Sequence, residues 1–404
     1  MLEVSHAKRI ITPQGSVPIQ GHAMRKSPST GVHDELEVHV LVLNLEGTEL
    51  CFINADLAGI DFTFGNRVKT AVRETYGIDE ELTVFSTTHT HSGPVFTAGG
   101  EHQPDPEYVD LVFERTMEAV EEAYTHRKPF DHVTYRQDEV IGFYGNRNGR
   151  DLPGDQTFTI LEFRDAEENV VEAFVNMACH STVNSPLELN LSADLLGNVR
   201  RELTPYLGVE PVMSNGAAGD MSNRLYRHNN DFAELKRVSA GIAARAAGIL
   251  DTGTLDLTGV KHRSLRYTVD YDTDKAGLEE KKAELEAKLE TAVEFDDRKW
   301  LLSEIAGCSR KMKVDHVHIC LDSTIIRLGE LELVVIPCEL ASAFGKQIKS
   351  ASNAKVCLIW GYSNGHSTYV VEAKGFNGGH DGIATQLKRG QAEEYVGKLI
   401  QTLF

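Results

Sequence analysis

Residues 50–94 read LCFINADLAGIDFTFGNRVKTAVRETYGIDEELTVFSTTHTHSGP. An apolar run from Leu50 to Asn54 gives way to a helical pattern, Phe64 to Tyr76, and then to a second apolar run, Leu82 to Ser86. Short apolar runs bounded by turn residues suit buried strands, and a helix between two of them points to an α/β sheet protein. The alternation continues along the chain. Further strands are predicted at Glu37 to Asn44, Phe158 to Phe163, Val170 to Ala178, Val212 to Ser214, Leu331 to Ile336 and Lys355 to Trp360. Helices are predicted at Glu107 to Tyr124, Leu195 to Tyr206, Phe232 to Leu250 and Leu340 to Ser350. The expected architecture is a three-layer α/β/α sandwich around a mixed sheet, with residues 1–404 forming one domain.

The composition shifts between Asp274 and Arg298, where Glu, Lys, Ala and Leu dominate and Leu278, Leu285, Leu289 and Ala292 recur at helical spacing. This predicts a helical insertion over 271–311. Its polar face is mixed in charge, as in a solvated helix lying on the body rather than a membrane-binding one.

The 404 residues are 41% hydrophobic and 25% charged, close to the average for globular proteins. A formal charge of −19 makes nucleic-acid backbone and anionic membrane surfaces poor partners. Met1 to Pro13 lacks the apolar core of a secretion signal, and no stretch approaches the roughly 20 apolar residues that span a bilayer. The expectation is a cytoplasmic protein with a small-molecule substrate, without membrane insertion and without a signal for an oligomer. Cys51, Cys179, Cys308, Cys320, Cys338 and Cys357 form no close pairs, which suits reduced buried thiols.

The strand ending at Ser86 runs into Thr87-Thr-His-Thr-His-Ser-Gly-Pro94. Alternation of an extended chain puts His89 and His91 on one face, where one imidazole can bind a metal and its neighbour can carry a proton. A His-x-His pair is common by itself. Here other candidate ligands fall at the same topological place, the carboxyl ends of strands: His180 after Asn176-Met-Ala-Cys, Glu339 after Ile336-Pro-Cys, and a cluster containing Tyr and His in Gly361 to Tyr369. Two nitrogens, a carboxylate and a further oxygen suit zinc better than calcium or magnesium. Each has a plainer reading too, Glu339 as a helix-start charge and Tyr369 as a core tyrosine.

A strand-to-helix turn, Ser214-Asn-Gly-Ala-Ala-Gly-Asp-Met-Ser-Asn223, brings Asp220, Ser222 and Asn223 to the same edge. It matches neither a nucleophile elbow nor a phosphate loop. The loop Tyr144 to Asp151 offers Arg147 and Arg150, either of which can clamp an oxyanion or sit in solvent. Asp56, His22 and His33 stand further from this cluster in the ranking.

Taken together, His-Thr-His-Ser-Gly-Pro at 89–94, His180, Gly-Asp-Met-Ser at 219–222, Ile-Pro-Cys-Glu at 336–339 and Ser-Asn-Gly-His-Ser-Thr-Tyr at 363–369 resemble the catalytic domain of the neutral/alkaline (non-lysosomal) ceramidases, zinc-dependent amidases. Ile-Thr-Pro near the start and Gly-Val-His at 31–33 extend the resemblance over nearly the whole chain except the helical insertion. The resemblance implies one zinc per chain held by His89, His180, Glu339 and Tyr369. It implies a place beside the scissile bond for His91, near the substrate carbonyl for Arg147 and in substrate binding for Ser222; Tyr369 is expected to help hold the oxyanion, and Asp220, Asn364 and His380 are further candidate substrate-binding residues.

The chain departs from the family pattern in two places. Ser222-Asn223-Arg224 stands where the family has Ser-Pro-Asn, and His380-Asp381-Gly382 where it has Tyr-Glu-Gly, so that a second active-site tyrosine is either missing or replaced by His380. About 35 residues follow Tyr369, fewer than the family's carboxyl-terminal β-domain needs. The resulting expectation is a zinc hydrolase of a small soluble N-acyl compound rather than of membrane ceramide. An esterase on the same zinc site and a non-catalytic metal- or ligand-binding relative are the alternatives.

Overall fold

The computed structural model describes residues 1–98, 102–375 and 379–404. Among these the long strands form three mixed sheets. In spatial order the first is Thr83–Thr87, Thr48–Ala55, Glu37–Leu45, Leu2–Ile10 and Lys128–Pro129. The second is Val212–Asn215, Val170–Met177, Thr157–Arg164, His132–Glu139 and Asp251–Leu255, and the third is Val260–Asp272, His316–Leu328, Leu331–Val335 and Val356–Trp360.

Each sheet repeats one succession. Three antiparallel strands are followed by a helix that crosses over and returns the chain as a strand parallel to the third. The three crossover helices are Phe62–Tyr76, Asp194–Leu207 and Ser342–Ala351. In each case a second helix follows, Pro106–Thr125, Phe232–Ala247 or Gln391–Thr402, and covers the outer face of its sheet. The α/β class read from the alternation is thus present, spread over three sheets that meet face to face inside a shell of helices. Leu41, Leu43 and Phe52 of the first sheet converge there on Leu161, Phe163 and Phe174 of the second and on Leu328, Leu331 and Leu333 of the third.

This arrangement explains which strands show in the sequence. Glu37–Leu45 is buried on both faces at nearly every residue, so it reads as a continuous apolar run. Val260–Asp272 is exposed at every residue from Lys261 to Ser264 and only then alternates, with Arg266, Asp270 and Asp272 on its open face, so its sequence shows no continuous apolar run. Leu2–Ile10 and His132–Glu139 likewise lack a continuous apolar run, because charged and polar residues are interspersed along them.

Between Val260–Asp272 and His316–Leu328 the chain leaves the sheet as a pair of helices, Lys275–Thr291 and Phe295–Met312. Asp274 caps the first, accepting from the backbone N–H of Gly277 at 3.0 Å. The second packs against the short helix Gly379–Ala384 and so reaches the carboxyl ends of the strands. No helix among the described residues is long and apolar enough to cross a membrane.

Candidate metal centre

The parallel strands of all three units point their carboxyl ends at one place, and the loops beyond them are tied together by main-chain bonds. The strand Thr83–Thr87 stops short of the histidines. His89 then turns into the left-handed region, φ 59°, instead of continuing the extended chain. The cause is pairing with a neighbouring loop: Thr90 bridges Ser181 in parallel, and the His91 N–H donates to the Ser181 carbonyl at 3.2 Å. The His180 N–H donates to the Met221 carbonyl at 2.9 Å. Glu339 and Tyr369 face each other across the two-residue parallel ladder Glu339–Leu340 with Tyr369–Val370. Gly219 permits this crowding, since a Cβ there would fall 2.7 Å from the Glu339 carbonyl oxygen.

His89 Nδ1 donates to the Ala58 carbonyl at 2.5 Å, and His180 Nδ1 to the Ala218 carbonyl at 2.7 Å. With those protons committed, the Nε2 of each ring carries a lone pair. Both lone pairs face the Oε2 of Glu339, at 3.5 Å from His89 and 3.1 Å from His180. Oε2 is buried and has no hydrogen-bond partner among the described residues. Three unprotonated acceptors aimed at each other in a buried place repel one another unless a cation lies among them. The remaining Oε1 is held by His366 Nε2 at 3.0 Å.

Two further groups flank the trio. Tyr369 Oη lies 3.3 Å from His180 Nε2, and His91 Nε2 lies 3.1 Å from His89 Nε2. A tetrahedral zinc with ligands at about 2.0–2.1 Å separates neighbouring donors by about 3.3 Å. The separations of 3.1 to 3.5 Å that link His89, His180, Glu339 and Tyr369 fit that edge. Imidazole nitrogen and carboxylate oxygen are both among the ligands that zinc accepts. A second cluster of potential ligands, Glu37, His39 and Glu210, is occupied by Lys8, Arg200 and Arg201 and is a buried ion-pair network.

Protonation follows from burial. It lowers the pKa of His89 to about 3, with the Glu339 charge opposing, and lowers that of His91 well below the usual imidazole range, helped by His89 and His180. Burial raises the Tyr369 phenol well above 10, and the Glu339 charge adds to this. Burial alone would raise Glu339, but the neighbouring histidines outweigh it and hold the carboxyl well below its ordinary value. Burial would likewise lower Arg147, but Asp381 and Tyr369 outweigh it and raise its pKa.

A pocket opens over this centre. Its wall includes His91, Arg147, His180, Ser222, Tyr369 and His380, so these residues, taken from distant parts of the sequence, come together. Arg147 Nη2 donates to Tyr369 Oη at 3.3 Å and pairs with Asp381. The glycine at 21 lets the amino-terminal loop press on His91, for a Cβ there would fall 2.4 Å from the ring. Asp220 is placed elsewhere. Its carboxylate accepts from the backbone N–H of Ser342, at the start of a helix, at 2.7 Å and from Asn146 Nδ2 at 2.8 Å, both buried bonds. Asn364 also stays outside the pocket, its Oδ1 accepting from the Phe85 N–H at 2.9 Å. Arg150 is exposed and turns to the Leu225 carbonyl.

Sequence reading did not single out several residues of the site. His366 orients Glu339, and Tyr362 stacks under His89 with centroids 4.3 Å apart. Both lie within three residues of assigned positions, so their place beside Tyr369 was the available signal. Arg224, Arg227, Lys299, Trp300 and Ser303 also line the pocket, as does His22, which the sequence ranks lower. Nothing in the amphipathic pattern of the helical insertion shows that its Lys299 face turns to the centre.

No family model matches the sequence, and no curated protein matches it. Among the solved structures that share the fold are two ceramidases. One is a neutral ceramidase from Pseudomonas aeruginosa, at TM-score 0.78 and 16% identity over 99% of this chain and 74% of that one. The other is a ceramidase complexed with C2, at TM-score 0.78, 18% identity and the same coverage.

Proposed function

We propose that this chain, whose fold is that of the two ceramidases, is a zinc-dependent hydrolase of amide bonds acting on a small N-acyl compound. The observation that carries the reading is the convergence of His89 Nε2, His180 Nε2 and Glu339 Oε2, with Tyr369 and a neutral His91 beside them. His89, His180, Glu339 and Tyr369 would hold the ion. When bound, zinc supplies Lewis acidity that makes water a nucleophile near neutral pH and polarises a carbonyl.

The protein groups divide the remaining work. His91 is held by Arg25, whose Nη1 donates to the His91 carbonyl at 2.6 Å, and its Nδ1 has no partner among the described residues. With His89 Nε2 committed to the ion, His91 Nε2 is free to take a proton from water and return it to the leaving amine. Arg147 remains charged and faces the same opening, so it and Tyr369 hold the oxygen that gains negative charge. Ser222, 2% exposed and on the pocket wall, orients the substrate. His380 sits across from Tyr369, ring centroids 5.7 Å apart, and shapes the entrance. A cytoplasmic setting agrees with the six free cysteines.

The test is amine release from short N-acyl compounds by zinc-supplied protein, with matched esters alongside. Amine release that stops on chelation supports the proposal. Cleavage of esters alone would make the chain an esterase, and binding of zinc with no turnover of either would make it a binding protein.

A further inference from the structure

The pocket wall carries Arg147, Arg224, Arg227 and Lys299, and no carboxylate among the described residues. That is a local reversal in a chain of 60 acidic against 41 basic residues. Within ion-pair distance of these four cations stand two carboxylates. Asp381 pairs with Arg147, and Asp296 is shared by Arg227 at 3.1 Å and Arg224 at 3.7 Å. Four cations against two anions leave two positive charges around a half-enclosed space. Lys299 feels the charge of Asp296 one helical turn away but forms no ion pair within 4 Å among the described residues, and the buried Nε of Arg224 has no hydrogen bond. Burial and the adjacent Arg227 lower the Lys299 ammonium to about 8.

The cations are also ordered around an apolar plate. Asp296, Lys299, Trp300 and Ser303 share one face of the helix Phe295–Met312. The Trp300 ring lies between the Arg224 guanidinium at 4.7 Å and the Arg147 guanidinium at 5.3 Å. Ser222, Thr182 and Ser303 add hydroxyl donors to the same wall. Such a set matches a carboxylate or phosphate, which guanidinium and ammonium groups bind by charge-assisted hydrogen bonds.

We infer that the substrate carries an anionic group, a carboxylate or a phosphate monoester, held by Lys299, Arg224 and Arg227 and brought into reach by the helical pair. The inference rests on the amide-hydrolase reading for the bond that is cut. The anion belongs on the amine half of the substrate. His91, which returns the proton to the leaving amine, adjoins His22, ring centroids 5.1 Å apart, and both line the same pocket wall as Lys299.

Three amides of one acyl chain test this on the zinc-loaded protein: the N-acylglycine, the N-acyl phosphoethanolamine and the neutral N-acylethanolamine. An anionic amide is expected to exceed the neutral one in kcat/KM by about tenfold to a hundredfold, and which anion wins identifies the group. The Lys299→Met and Arg224→Met variants are each expected to cut that ratio about tenfold, the ratio rather than the rate being the readout. A neutral amide cleaved as well as both anionic ones overturns the inference and leaves the hydrolase reading intact. If no amide is cleaved, the hydrolase reading falls and the anion site is judged by thermal stabilisation. Phosphoethanolamine or N-acetylglycine stabilising wild type more than ethanolamine does, with loss in Lys299→Met, supports the site. Equal shifts from all three overturn it.

Discussion

His180→Ala is expected to abolish stable metal binding and hydrolysis together while leaving the fold in place. His180 Nε2 meets Glu339 Oε2 at 3.1 Å and Tyr369 Oη at 3.3 Å, so it touches two of the other candidate ligands. Its removal leaves His89 and Glu339 with a gap at the corner nearest the phenol, and a zinc site with one fewer protein ligand holds the ion weakly. The fold survives because the loop is fixed by main-chain bonds that the side chain does not make, the His180 N–H to Met221 and the Thr90–Ser181 bridge. His366→Ala should be milder, because His366 only orients Oε1 of Glu339, and loss of such an outer partner costs about 10- to 100-fold in metal affinity. Metal content after gel filtration, circular dichroism and amine release check the pair. A folded His180→Ala protein with stoichiometric zinc and wild-type turnover would remove His180 from the site.

Arg200→Met is expected to cost about 3–5 kcal/mol of stability, the typical effect of stripping one partner from a buried ion pair. The Arg200 guanidinium, fully buried, bonds Asp56 at 2.9 and 3.3 Å and Glu37 at 2.9 Å, and lies 3.4 Å from Glu210. Burial alone would lower its pKa, and the surrounding carboxylates reverse this and raise it. Removing the cation leaves Asp56, which is 0% exposed, without an ion-pair partner among the described residues, while Glu37 keeps Lys8 and Arg201. The bond also joins the second unit's crossover helix, Asp194–Leu207, to the strand end of the first unit that carries Ala58, the partner of His89. Unfolding in denaturant should therefore move to a lower midpoint. Fully metal-loaded Arg200→Met should also turn over more slowly. An unchanged midpoint would show that the carboxylates are not held by this arginine.

The sequence made the buried strands and the strand-end residues legible, because burial on both faces leaves long apolar runs and the turns after them stand out. It did not show how the units repeat. The outermost strands, such as Val260–Asp272, carry charges on a solvent face and resemble loops in composition. The histidine pair was found by an argument that the structure modifies. His89 and His91 meet because a left-handed residue and a bridge to Ser181 bend the chain, rather than because an extended strand alternates. Asp220 and Asn364 carry the same polar chemistry as binding residues, and only their bonds to Ser342 and Phe85 show them tying loops together. The helical pair looks like a solvated surface element in sequence. Its acidic and basic residues are sorted by tertiary contact, which sends Lys299 and Trp300 inward to the pocket.

X-ray absorption at the zinc edge of the zinc-loaded wild-type protein tests the metal centre most directly. The account predicts about one zinc per chain, bound only by nitrogen and oxygen at about 2.0–2.1 Å, with an imidazole signature that weakens in His180→Ala. Sulfur at about 2.3 Å, or no ordered zinc at all, would contradict it.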